Sequence, residues 1–111
     1  MKDSIRNKLD TLSERLEEIN ALLAEPDTIN DNNRFRELSK EYAQLNPIVA
    51  SYQQYRQALD DIESARSMLG EDDAEMREMA EEAVKTAKAK LETLEVELQT
   101  LLLTIDPNDS H

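Results

Sequence analysis

The sequence predicts an all-α fold of three antiparallel helices, in which a short first helix packs on a long, protruding helical hairpin. Of the 111 residues, 39% are hydrophobic, 34% are charged and one is glycine. This composition is typical of long helices, because most of these side chains lose little freedom in a helix. Apolar residues recur at every third or fourth position, and no segment alternates like a strand. These observations predict one small helical domain over residues 1–105.

The first predicted helix begins at Asp3 or Ser4 and stops at Pro26. The side chain of Asp3 or of Ser4 can accept a hydrogen bond from a backbone N–H of the first turn. Pro26 ends the helix because a proline ring crowds the preceding turn. The apolar positions step alternately by four and three residues, which places them along one edge, as in a coiled coil. They are Ile5, Leu9, Leu12, Leu16, Ile19 and Leu23.

The second predicted helix runs from about Asn30 to Leu69, after a short turn over residues 26–29. Pro47 lies inside it, where the missing backbone donor and the crowded preceding turn predict a kink or a local break. The apolar pattern continues in phase beyond the proline, with one three-residue slip. Its members are Phe35, Leu38, Tyr42, Leu45, Val49, Tyr52, Tyr55, Leu59, Ile62 and Leu69.

The third predicted helix begins near Asp72 and ends near residue 104. Gly70 precedes it and suits the left-handed conformation that often ends a helix. Asp72 and Glu75 have the spacing of a capping box, and Asp106-Pro107 closes the helix. The apolar positions are Met76, Met79, Ala83, Val84, Ala87, Leu91, Leu94, Leu98, Leu101 and Ile105.

The predicted helices are unequal, at roughly 33, 58 and 48 Å for a rise of about 1.5 Å per residue. Short turns make sequence neighbours antiparallel, and the first helix can cover only half of the second. Folding about Gly70 pairs residue i with about residue 141 − i. Residues 75–90 carry a narrower stripe of Met, Ala and Val than the leucine-rich stretch that follows. The far end of the hairpin is therefore predicted to protrude, to pack weakly and to act as a docking arm.

Charge and composition exclude several classes of function. The 13 basic and 25 acidic residues give a formal net charge of −12, which repels phosphates and anionic lipids. Any RNA contact is therefore local, and we predict no sequence-specific nucleic-acid binding. Cysteine is absent and the single histidine is His111, which excludes disulfides and a zinc site. Apolar runs such as Leu101–Leu103 are far too short to span a membrane, and Met1–Asp3 does not start a signal peptide, so we expect no membrane association and a cytoplasmic protein.

No constellation of residues predicts chemistry. The carboxylates fall on solvated helical faces with no pocket implied by the pattern. Residues 27–33 superficially suggest a calcium loop, but the required glycine is missing and Leu38 stands where the bidentate glutamate belongs. We therefore predict a protein that is not an enzyme, with no catalytic residue, no cofactor and no metal ligand.

Three groups of side chains are candidate partner surfaces, each with a simpler structural interpretation. An acidic cluster at the hairpin tip also complements a helix start, and basic groups that can touch RNA phosphates can equally form solubilising pairs such as Arg36–Glu41 or Glu81–Lys85. Tyrosines on the apolar stripe pack in the core more readily than they stack on bases. The acidic cluster is Glu71, Asp72, Asp73, Glu75, Glu78, Glu81 and Glu82; the basic groups are Arg34, Arg36, Lys40 and Lys85, Lys88, Lys90; the tyrosines are Tyr42, Tyr52 and Tyr55.

The residues alone predict an acidic three-helix interaction module. In addition, three strings closely resemble the N-terminal helical domain of the bacterial peptide chain release factor 1 family, and residues 1–23 are similar to it as well. The strings are RFRELSKEYAQL at 34–45, EMREMA at 75–80, and the ending from LLL at 101–103 to DPND at 106–109. The resemblance covers essentially the whole chain, and Pro47 departs from the uninterrupted helix of the family.

The resemblance implies a factor that recognises the stop codons UAA and UAG in the ribosomal A site and triggers hydrolysis of peptidyl-tRNA. The family reads the codon with a Pro-Ala-Thr-type tripeptide and promotes hydrolysis with a Gly-Gly-Gln loop, and this sequence contains neither. The related class that reads UGA carries different strings at these positions.

The resemblance also implies partners for this domain. They are the ribosome, at the stalk base of the large subunit near the GTPase-associated centre, and the class II release factor GTPase. The remaining domains of the parent chain would follow residues 106–111, which we expect to start a linker to the central domains.

A free-standing acidic helical adaptor or coiled-coil oligomeriser is the alternative. Its reading frame would end near His111, and it would self-associate through the exposed seam of the hairpin.

Overall fold

The computed structural model describes residues 1–70 and 72–105. It contains the helices α1 (Asp3–Leu23), α2 (Pro26–Ile29), α3 (Asn32–Met68) and α4 (Ala74–Ile105). No strand occurs in these ranges, so the all-α prediction is confirmed. The chain divides into two compact units: unit 1 holds Met1–Ala50 and the residues from Leu101 onward, and unit 2 holds Ser51–Thr100. None of the described helices is long and apolar enough to cross a membrane.

The number of helices differs from the prediction, because the expected turn at residues 26–29 forms the single-turn helix α2. Pro26 occupies its first position, where a proline has no hydrogen bond to lose and its fixed φ suits a helix. The same residue therefore stops α1 and starts α2. Thr28 within this turn is only 1% exposed, so α2 is part of the packed structure of unit 1.

The helix caps also differ from the prediction. Lys2 precedes α1 in an extended conformation with no side-chain cap, so neither Asp3 nor Ser4 caps that helix. Asp73, and not Asp72, caps α4: its Oδ1 accepts the Glu75 backbone N–H at 3.0 Å. Helix α4, the third predicted helix, therefore begins one residue later than the sequence indicates. Because Asp72 and Asp73 are adjacent, the sequence pattern does not show which of them is the cap.

The long helix α3 starts at Asn32 because Asp31 caps it. The Oδ1 atom of Asp31 accepts the Arg34 backbone N–H at 3.2 Å, and its carbonyl accepts the Phe35 N–H at 2.9 Å. The helix continues through Pro47, so the predicted local break does not occur. Beyond its end at Met68, Gly70 does not adopt a positive φ, and the predicted left-handed residue is absent there. The predicted Asp106-Pro107 stop and the tail lie outside the described residues.

Unit 1 is held together by branched apolar side chains of α1 and α3. Ile19, Leu38 and Leu45 form its buried cluster. The predicted apolar edge of α1 is thus confirmed, and the first helix packs on the second long element as expected. Partly buried side chains complete the cluster: Leu12, Leu16, Leu22, Leu23, Tyr42 and Ile105.

Unit 2 is an antiparallel pair formed by residues 51–68 of α3 and the α4 residues up to 100. Ser51 donates a hydrogen bond to Glu97, and Tyr55 donates one to Glu95. The residue number rises along α3 while that of the partner on α4 falls, so the two helices are antiparallel. Many of the buried positions are small. The buried apolar residues are Tyr52, Tyr55, Ala58, Ile62, Ala65, Ala80, Ala87, Leu94 and Leu98.

The register of this pair differs from a fold centred on Gly70. Such a fold places residue 90 opposite Ser51, whereas the structure places Glu97 there at 3.1 Å from the Ser51 hydroxyl. The same register continues to Met68 and Met79, which border one groove. The first turn of α4 therefore extends past the end of α3 at Met68. The protrusion of the whole hairpin stays a prediction.

Candidate interaction surfaces

Within residues 1–70 and 72–105, no group of three or more His, Cys, Asp or Glu side chains could hold a metal ion. Each buried side-chain nitrogen or oxygen in this part of the chain has a hydrogen-bond partner. The side chains that the sequence singled out lie mainly on exposed surfaces of the two units.

In unit 1, an ion pair fastens α1 to α3. Arg15 donates from Nε to Glu41 Oε2 at 2.6 Å and from Nη2 to Oε1 at 2.9 Å, while Nη1 binds Glu18 at 2.7 Å. This bidentate bond lowers the pKa of the Glu41 carboxyl below its ordinary value, against a smaller opposing effect of burial, and raises the pKa of the Arg15 guanidinium. The pair positions the helices and leaves Glu41 unavailable to the predicted partner Arg36.

The first basic group lies on α3 beside a partly exposed aromatic ring. Arg34, Arg36 and Lys40 are all exposed, and Phe35 between the first two is 41% exposed. None of the three cations forms an ion pair with the residues that the structure describes. The predicted Arg36–Glu41 pair is therefore wrong, and the group remains a local basic surface on unit 1.

The second basic group does not form a single surface. Lys88 borders a groove together with Glu63 and Arg66, whereas Lys90 borders a different groove together with Asp61. Lys85 is exposed and forms no ion pair with Glu81 in the described part of α4. Positions 85 and 88 share a face of a helix because they are three residues apart, whereas position 90 lies on another side, and proximity in sequence does not reveal this difference.

The tyrosines are largely core residues, as the simpler interpretation predicts. Tyr52 is 2% exposed and Tyr55 is 6% exposed, and Tyr42 is half-buried against the cluster of unit 1. The Tyr55 hydroxyl donates to Glu95 at 3.2 Å, and the Arg56 guanidinium lies 5.7 Å from the centroid of the Tyr52 ring. With their faces packed, Tyr52 and Tyr55 offer no platform for a base.

The acidic cluster lies at the start of α4, and its described members are exposed. Asp73 caps the helix, and the other acids of the first turns favour its positive end, so the structural interpretation accounts for part of the cluster. Glu82 differs from the rest because it borders an apolar groove. Glu71 lies outside the described residues. The remaining exposed members are Asp72, Glu75, Glu78 and Glu81.

This groove is the feature of unit 2 that the sequence analysis missed. It has a volume of about 660 Å³ and runs between α3 and α4. Ala65 and Ala87 are buried and lie at its base, whereas Met79 is 64% exposed at its edge. The narrow Met and Ala stripe of residues 75–90 was the available signal. The complete lining is Asp61, Ser64, Ala65, Met68, Met79, Glu82, Ala83, Thr86, Ala87 and Lys90.

Comparison with known protein families gives one match over most of the chain. The model of the PCRF domain matches residues 12–111. The matched range includes the apolar edge of α1 from Leu12 onward, the ion pair of unit 1 and both helices of unit 2.

Proposed function

Because the chain belongs to the PCRF domain family of peptide chain release factors, we propose that it is the ribosome-docking domain of a class I factor acting at UAA and UAG. The family match carries the proposal, since it assigns the chain to translation termination. The strings at residues 34–45, 75–80 and 101–109 support release factor 1 as the class. They favour UAA and UAG over UGA.

The chain itself is proposed to dock and not to catalyse. Its sequence has one glycine and contains neither a Gly-Gly-Gln loop nor a Pro-Ala-Thr tripeptide. Codon reading and hydrolysis therefore belong to other domains of the parent factor, joined through the linker that starts at residues 106–111. In the cytoplasm, the helical domain binds the stalk base of the large subunit and can engage the class II release factor GTPase.

The parent factor provides the test of this division of labour. Peptide release from ribosomes programmed with UAA, UAG or UGA is measured with the intact parent, with a parent lacking residues 1–105, and with the 111-residue chain alone. We expect release by the parent at UAA and UAG, a higher KM with a smaller change in kcat for the truncated factor, and no release by the chain alone. Release by the chain alone, or preferential release at UGA, would overturn the proposal.

The apolar groove of unit 2 favours a second candidate, a free-standing acidic helical adaptor or coiled-coil oligomeriser. That candidate requires self-association through the hairpin, which sedimentation equilibrium detects directly. It also requires a reading frame that ends near His111, whereas the release-factor proposal requires a frame that continues.

A further inference from the structure

We propose that the groove between α3 and α4 of unit 2 docks a basic amphipathic helix from another protein. The inference goes beyond the proposed function and does not depend on the codon read by the parent factor. It rests on the shape and lining of the groove, on the two-helix composition of unit 2, and on the charge around the groove.

The lining suits apolar side chains. The volume of about 660 Å³ lies within the range of about 300–1,000 Å³ that is usual for binding clefts in proteins. Buried Ala65 and Ala87 leave space at its base, and Met68 and Met79 border it. Methionine has a flexible, polarizable side chain that adapts to different apolar partners, and exposed methionines are common at helix-binding grooves. The exposed edge of Met79 therefore suits a contact surface.

The other unit shows what fills such a surface. In unit 1, the apolar edge of α1 packs on Leu38 and Leu45 of α3, so three helical segments share one core. In unit 2, the described chain supplies only two helices, and the groove between them is uncovered. It extends over residues 61–68 of α3 and 79–90 of α4, which is about 10 to 16 Å at 1.5 Å per residue. This length accepts apolar residues spaced i, i+3 or i+4, and i+7 on an incoming helix.

Charge selects a basic partner. Residues 51–100 contain six Lys or Arg and thirteen Asp or Glu, a net charge of −7. Asp61 and Glu82 border the groove, with Lys90 as its one lining cation among the described residues. A helix with apolar residues on one face and lysines beside them satisfies both features. A second copy of this chain carries a net charge of −12, so self-docking meets electrostatic repulsion.

The test uses the purified 111-residue chain and two fluorescein-labelled helical peptides of 18 residues. One peptide has a leucine face flanked by lysines, and the other has the same leucines flanked by glutamates. Binding is followed by fluorescence anisotropy. The groove is blocked by Ala83→Trp, and the matched control is Ala89→Trp, because both alanines are exposed on α4 but only Ala83 lines the groove. Far-UV circular dichroism establishes that both variants retain their helices.

We expect the lysine peptide to bind, Ala83→Trp to weaken it by about tenfold or more, and Ala89→Trp to change its affinity by less than about twofold. Equal effects of the two variants would show non-specific attraction to an acidic protein and would overturn the proposal. Equal binding of the glutamate peptide, or no binding of the lysine peptide, would overturn it as well, as would a dimer that Ala83→Trp abolishes.

Charge is tested separately with Glu82→Gln and the matched control Glu92→Gln, which is exposed on the same helix and does not line the groove. We expect only Glu82→Gln to weaken binding of the lysine peptide by more than about twofold and to reduce its salt dependence. Equal effects of both variants would contradict a role of the groove acids. Stop-codon-directed release by the parent is a separate measurement, so failure of either proposal is distinguishable from failure of the other.

Discussion

The two units bury different kinds of side chain, although they share the helices α3 and α4. Unit 1 has a third long segment, α1, and its buried cluster consists of Ile19, Leu38 and Leu45. Unit 2 has two segments, and four of its nine described buried apolar residues are alanines: Ala58, Ala65, Ala80 and Ala87. These alanines let the two helices approach closely, whereas Ile62, Leu94 and Leu98 are large side chains buried in the same pair. Unit 2 therefore combines small and large buried residues, whereas the buried cluster of unit 1, which α1 helps to form, contains only branched ones.

The polar contacts of the two units differ in a corresponding way. Unit 1 uses the bidentate ion pair between Arg15 and Glu41, whose side chains are each 36% exposed. Unit 2 uses the hydroxyl groups of Ser51 and Tyr55 as donors to two glutamates of α4. Water partly screens the ion pair of unit 1, whereas Ser51 in unit 2 is buried.

The largest expected effect is on the core of unit 1. Replacing Ile19 by alanine removes most of a side chain that has no exposed surface and leaves a cavity. We therefore expect the free energy of unfolding to fall by about 2–5 kcal/mol. Urea denaturation measures the loss, and hydrogen exchange locates it in unit 1. The control Ile29→Ala removes the same atoms from a side chain that is 53% exposed, with an expected change within about 0.5 kcal/mol. Similar losses in both variants would contradict the assigned core.

The second largest expected effect is at the buried alanines between α3 and α4 of unit 2, where it tests how tightly the two helices pack. Ala58→Leu adds three carbons to a buried position, and overpacking of this kind lowers the free energy of unfolding by about 1–3 kcal/mol. Ala89→Leu adds the same atoms on the solvent face of α4 and serves as the matched control, with a change within about 0.5 kcal/mol. Thermal melts compare the two. A more stable Ala58→Leu variant would mean that α3 and α4 are loosely packed around Ala58.

A smaller effect is expected where each unit starts a long helix. Asp31 caps α3 in unit 1 and Asp73 caps α4 in unit 2, and each accepts a backbone N–H. Replacement of either by alanine is expected to cost about 1 kcal/mol of stability. Asp72→Ala removes the same charge next to the cap without removing its hydrogen bond, so its cost in a urea titration is expected to be smaller. Equal costs for Asp72 and Asp73 would assign the effect to charge alone.

The smallest effect concerns the exposed ion pair of unit 1. A double-mutant cycle with Arg15→Met and Glu41→Gln is expected to give a coupling of about 0.5–1 kcal/mol at pH 7, because both side chains are partly solvated. Since the pKa of Glu41 is lowered by folding, the contribution is present above its ordinary value of 4.5 and is lost as the pH falls through the folded value. A coupling that is unchanged at acidic pH would contradict the assigned bond.

Helical periodicity predicted the long elements and much of their buried face. Ile19, Leu38 and Leu45 lie on the predicted stripe and are buried, because a regular repeat leaves a helix only one face to bury. The helix α2 was missed because a single turn is too short for any repeat. Pro26 was interpreted only as a stop, although a proline at the first position also starts a helix.

Features that depend on tertiary distance were beyond the pattern. Arg15 and Glu41 lie 26 positions apart, and neither neighbourhood in sequence indicates the other. The register of unit 2, in which Ser51 contacts Glu97, joins residues 46 positions apart, and helical periodicity does not specify such a pairing. The candidate groove follows from that register, because it is lined by side chains of both helices. Sequence could indicate its Met and Ala content but not its position.

The two hydroxyl bonds of unit 2 have a mechanical consequence. The buried alanines at positions 58, 65, 80 and 87 offer little steric resistance to a slide of α4 along α3 by one helical turn, about 5.4 Å, whereas large buried side chains such as Leu94 and Leu98 oppose it. Such a slide would separate Ser51 from Glu97 and Tyr55 from Glu95 at the same time, and a buried hydroxyl without an acceptor is unfavourable. These two hydrogen bonds therefore resist sliding of α4 along α3 when a force acts along the axis of the helix pair.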